Sequence, residues 1–190
     1  MKKLSTRTLV IGAALTALVI ILQFMGAFIR FGMFQVSLVL VPIVIGAAVG
    51  DVGLGTWLGF TFGMVVLINE DAASFLAIDV LGTIITVLLK GTLAGFLAAL
   101  AYKALKSTNT YLAVAFAAVI CPVVNTGVFL IGCLLFFMDT VTMWAETAGL
   151  GTNVAHYMIF VLVGANFLFE LGTNIILSPV IVRLINFKNK

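Results

Sequence analysis

Charge is what this sequence has least of. Ten Lys and Arg and seven Asp and Glu make up 9% of its 190 residues, whereas an ordinary soluble domain carries about 25%. That poverty excludes a water-exposed surface over most of the chain. Histidine is represented only by His156 and cysteine only by Cys121 and Cys133, so no His/Cys cluster for a metal and no Ser/His/Asp constellation is suggested. The two cysteines fall in one expected helix, about 18 Å apart along its axis, and cannot bond to each other; they read as small apolar fillers. The chain has no G-x-x-x-x-G-K-[ST], H-E-x-x-H or G-x-S-x-G, so it is not expected to hydrolyse ATP or to run those hydrolytic chemistries. The +3 net charge is scattered over segment ends without interleaved aromatics, which argues against nucleic acid as a partner. No linker, low-complexity tract or convincing internal repeat appears.

What is present is hydrophobicity: 63% apolar residues and a mean hydropathy of +1.29. Apolar stretches of helical length follow one another with short polar interruptions, the pattern of an all-α integral membrane protein forming one domain over residues 1–190. Spans are expected at Thr8–Ile29, Gln35–Val49, Gly53–Ile68, Val80–Lys103, Tyr111–Met138 and Val154–Ile185. The bundle therefore has six helices, the second and third short and joined by the tight turn Gly50-Asp51-Val52-Gly53. Lys2, Lys3, Arg7, Lys103, Lys106, Arg183, Lys188 and Lys190 fall on one side of this threading and only Arg30 on the other. The charge bias predicts that both termini are cytoplasmic. Lys2-Lys3 before an apolar run could also open a signal peptide, but the run is too long for a typical one and no A-x-A site is evident.

Small residues recur every fourth position at Ala13/Ala17, Gly46/Gly50, Gly55/Gly59/Gly63 and Gly91/Gly95, ridges that let helix backbones approach closely. The glycine ridges are expected to pack within the bundle. The alanine pair is equally suited to docking another subunit.

Polar residues inside the spans carry the functional signal. Lys90, Asn125, Asn166 and Glu170 lie on the last three helices, about 13 to 23 Å below the outer ends. A lysine at that depth costs about 2.5 to 3.5 kcal/mol on insertion scales and needs an anion. Glu170 is the one acidic residue expected deep in a span. Two readings follow: a structural Lys90–Glu170 ion pair, or a site in which one or both also meet a polar ligand, with Asn125 and Asn166 as neutral partners. Pro122 and Pro42 are expected to free backbone carbonyls nearby. Arg30 reads either as an interface residue with a snorkelling side chain or as a guanidinium that grips a carboxylate. Trp57, Trp144, Tyr157 and His156 suit an interface belt; Trp144 and His156 could instead close over a ligand.

The basic "KKLSTRTLVIGAALTALVIILQF" opening, the helix pair "VSLVLVPIVIGAAVGDVGLGTWLGFTFG" and the late "VGANFLFELGTNIILSPVIVRLI" follow one another over nearly the whole chain. In their order and in chain size, the protein resembles the substrate-binding S components of energy-coupling factor (ECF) vitamin transporters. That resemblance implies a multi-pass subunit of a bacterial cell membrane which captures a vitamin from outside and has no cofactor of its own. Its partners would be a transmembrane coupling subunit and two ATPases that bind ATP. By the same resemblance Ala13 and Ala17 would dock the coupling subunit. Arg30, Asn69, Asp79, Asn125, Asn166 and Glu170 would lie in the elements that form the binding site. A carboxylate-bearing substrate suits the two cations Arg30 and Lys90, with pantothenate as first expectation and hydroxymethylpyrimidine as runner-up. Two other classes stay open: a membrane enzyme using Lys90 and Glu170 as an acid–base pair, and a scaffold whose polar residues only pack.

Overall fold

The computed structural model describes residues 6–26, 30–31, 34–35, 38–151 and 153–188. Lys2, Lys3 and Lys190, on which part of the orientation rests, lie outside the described residues, as do the side chains of Arg7, Arg30 and Lys188.

The chain folds into helices α1 (Thr6–Met25), α2 (Leu40–Val49), α3 (Val52–Ile68), α4 (Ala73–Leu76), α5 (Val80–Leu105), α6 (Thr110–Phe136), α7 (Met138–Thr147), α8 (Val154–His156) and α9 (Gly164–Lys188). A two-residue antiparallel ladder, Arg30–Phe31 with Phe34–Gln35, stands between α1 and α2. Among the described residues, four helices are long and apolar enough to cross a membrane: α1, α5, α6 and α9. α2 and α3 are apolar but have 10 and 17 residues, lengths of about 15 and 25 Å against a hydrocarbon core of about 30 Å.

Three expectations change in detail. The second helix starts at Leu40 rather than Gln35, because Gln35 belongs to the ladder. Pro42 consequently sits in the first turn of α2, where its missing N–H has no intrahelical acceptor to lose, and does not interrupt the helix. The expected last span from Val154 is broken: α8 runs into a π-helical segment, Tyr157–Leu162, before α9 begins at Gly164. There Val163 N–H donates to the Met158 carbonyl at 3.3 Å, five residues back. An unbroken helix over that range would be about 48 Å long, well beyond one crossing. The connection between the expected fifth and sixth spans contains α7, whose Val141 and Ala145 are buried.

α5 is the centre of the bundle, packed most extensively on α3 and α6, and α9 packs on α6. Glycine sets the α3–α5 distance. The two ridges run antiparallel, with Gly55 opposite Gly95, Gly59 opposite Gly91 and Gly63 opposite Val87. A Cβ on Gly59 would overlap the Gly91 carbonyl, and one on Gly95 would overlap that of Gly55. Backbones this close leave no room for any side chain. The glycine ridges thus serve the chain's own bundle, whereas Ala13 and Ala17 on α1 are both exposed.

Gly59→Val should lower the apparent melting midpoint of the detergent-purified protein by about 5 °C or more, the effect of overpacking by a few kcal/mol. Gly127→Ala, with nothing within 4 Å of the added Cβ and alanine the better helix former, should leave it unchanged or slightly raised in the same fluorescence-detected thermal melt.

Candidate functional site

At the end of the bundle where α1 terminates and α5 begins, the helices separate around a cavity of about 70 Å³. α5 contributes Thr83, Thr86, Val87 and Lys90; α6 contributes Asn125, Thr126 and Phe129; α9 contributes Asn166, Phe167 and Glu170. Phe62 and Val66 of α3 and Gln23 of α1 complete the walls, and the Glu70–Ala72 turn with Phe75 of α4 covers the mouth. The last three helices therefore meet around one polar hollow, as their sequence positions predict.

Lys90 is not in salt-bridge contact with Glu170; the two attract each other across the cavity, and Asp71 adds to the field at the lysine. Two aromatic faces hold the ammonium instead. Lys90 Nζ stands 5.6 Å from the centroid of Phe62 and 5.3 Å from that of Phe129, both within the reach of a cation–π contact. Asn125 approaches Glu170 as a donor.

The side-chain oxygens of Asn125, Asn166 and Thr86 are buried without a hydrogen-bond partner among the described residues. All three belong to cavity-lining residues, one on each of α6, α9 and α5. An unsatisfied buried polar group costs about 1 to 3 kcal/mol. A cavity that collects three of them is built to receive hydrogen-bond donors.

Above the cavity, Phe75 meets Phe129, Phe137 and Trp144 edge-on, with centroids 5.5, 5.0 and 5.6 Å away. α4, the end of α6 and α7 are thereby tied into one aromatic cover. Trp144 packs on Phe75 without lining the cavity, and His156 is exposed and packs on Phe160.

Among the remaining candidates, Asn69 and Asp79 flank the site without lining it. Asn69 ends α3 and accepts from the Asp71 amide at 3.1 Å. Asp79 caps α5 by accepting from the Gly82 amide at 3.0 Å. The Arg30 side chain lies outside the described residues.

Sequence reasoning gave no role to Asp71 or Gln23. Gln23, 1% exposed, donates from Nε2 to Asp71 Oδ2 at 2.9 Å. A loop position gives no sign that its carboxylate turns into the bundle, so no local signal marks Asp71. Another omission was legible: Asn166, Glu170, Asn174 and Ser178 recur every fourth residue, one buried polar stripe on α9. Below the cavity this stripe bonds along its own helix, Asn174 Nδ2 to the Glu170 carbonyl at 2.8 Å and Ser178 Oγ to the Asn174 carbonyl at 2.9 Å.

In comparisons with known proteins, no family model, no curated protein and no solved structure matches this chain.

Asp79→Ala should cost about 1 kcal/mol of stability through the lost cap. It should leave the affinity for whichever vitamin the purified chain binds within about twofold, below 0.5 kcal/mol, as read by thermal melts and titration. A large loss of affinity would show that Asp79 reaches the ligand.

Proposed function

We propose that the chain is the substrate-binding membrane subunit of an ECF-type importer, which captures a small polar nutrient and hands it to a separate coupling subunit and ATPases. The observation that carries this reading is the convergence of one ammonium, two carboxylates and three unpartnered oxygens on a cavity inside an apolar helical bundle. Intramembrane ionisable groups of this kind mark ligand or ion sites. No hydrolytic motif accompanies them. The exposed Ala13/Ala17 face of α1 supports a docking role, since small residues on an uncovered helix admit another helix closely.

Pantothenate fits as the ligand through its carboxylate at Lys90, with its amide N–H and hydroxyl groups offering donors to Asn125, Asn166 and Thr86. A second ligand, hydroxymethylpyrimidine, is favoured by the two carboxylates that outnumber the single described cation. Its amino group would donate to Glu170, and its ring would lie among Phe75, Phe129 and Phe167. Either exceeds the present cavity. Ligand pockets typically occupy about 300 Å³ or more, so binding requires the aromatic cover to move outward.

Isothermal titration of the purified chain against a panel of vitamins should give tight binding of one compound without turnover. Turnover would instead support an enzyme, and no binding would support a scaffold. Lys90→Ala and Asn166→Ala should each weaken that binding at least about tenfold, or 1.4 kcal/mol, with the fold retained; unchanged affinity in both would reduce the cavity to packing.

Ala13→Leu or Ala17→Leu should leave binding intact and abolish uptake in cells carrying the complete transporter. Uptake that survives both would place the docking surface elsewhere.

A further inference from the structure

The opposite end of the bundle holds a second concavity. α2 and α3 are too short to reach the level at which α5 ends and α6 begins, so their connecting turn, Gly50 to Gly53, lies at the floor of an open recess of about 800 Å³. Val52 and Gly53 give the recess its accessible apolar surface, over a floor of buried Ala47, Ala99 and Ile185, and the lining also includes Tyr102, Lys103, Lys106, Ser107 and Thr110.

The chemistry of this rim is that of a phosphate receptor. Lys103 and Lys106 are exposed, and Ser107, Thr110 and Tyr102 bring three hydroxyls to the same opening. Among the described residues Asp51 is the only acidic one lining the recess, and its carboxylate already accepts from the Leu54 amide at 2.9 Å, capping α3. The leading amides of α6 are likewise taken, since Asn109 accepts from Tyr111 N–H and Leu112 N–H. Side chains, not a helix end, would therefore hold an anion here. The recess also sits where the membrane-crossing stretch of α5 ends, the depth of lipid headgroups, with a tyrosine at the boundary.

From this combination of an apolar wall, a cationic and hydroxylated rim and headgroup depth, we infer that the recess binds one anionic phospholipid, its phosphate between Lys103 and Lys106 and its glycerol end against Val52 and Gly53. A free phosphate would satisfy the rim but leave the apolar walls unused, which favours the lipid. This site is separate from the ligand cavity and independent of the function proposed for it.

Native mass spectrometry of the detergent-purified chain, supplied with equal phosphatidylglycerol and phosphatidylcholine, tests the assignment. The protein should retain one phosphatidylglycerol in clear preference. Lys103→Gln and Lys106→Gln should each reduce that preference about fivefold, the effect of about 1 kcal/mol per basic residue at an anionic surface. Arg183→Gln, which removes a charge near the same end without lining the recess, should leave it unchanged. Equal retention of the two lipids overturns the proposal, as does a preference that survives the double Lys103→Gln/Lys106→Gln variant in folded protein. Displacement of the lipid by excess inorganic phosphate would overturn the choice of lipid as occupant.

Discussion

The contact between the backbones of α3 and α5 is the constraint on which the rest of the bundle depends. Phe62 follows Gly59 by three residues, and Lys90 immediately precedes Gly91. The glycine-to-glycine approach that joins those two turns therefore also carries the Phe62 ring over the lysine ammonium. A bulkier residue at either glycine would separate the helices and remove one face of that cage. Close packing without side chains at one level thus creates an electrostatic site at the next.

That cage answers the energetic problem of a membrane-embedded lysine. Its insertion costs about 2.5 to 3.5 kcal/mol, and each desolvated cation–π contact returns about 0.5 to 2 kcal/mol. Two such contacts offset most of the penalty before any carboxylate is counted. Lys90 consequently has no need of a direct ion pair, and Glu170 is not consumed by one. The arrangement keeps both charges, together with the Asp71 carboxylate fixed by Gln23, facing a common space where a ligand can meet them.

The two ends of the molecule divide the chemistry. At one end, three transmembrane helices present unpartnered oxygens to a hollow under an aromatic cover. At the other, short helices leave a cationic notch at the edge of the apolar span. Between them the lipid-facing surface is almost without charge, and α1 shows its small-residue face uncovered.

The sequence by itself determined that the chain is helical and apolar enough to cross a membrane, where only intrahelical hydrogen bonds would satisfy its backbone. It also marked Lys90, Asn125, Asn166 and Glu170 as one layer, because helical rise converts residue number into depth. The glycine ridges were legible for the same reason of fixed periodicity. Only the tertiary structure decided that the lysine is held by Phe62 and Phe129, that Asp71 folds inward to Gln23, and that Asn69 and Asp79 cap helices beside the cavity. Those outcomes depend on azimuth and on contacts between distant segments: a phenylalanine facing lipid and one facing an ammonium are spelled alike, and a loop carboxylate acquires its direction from what packs beneath it.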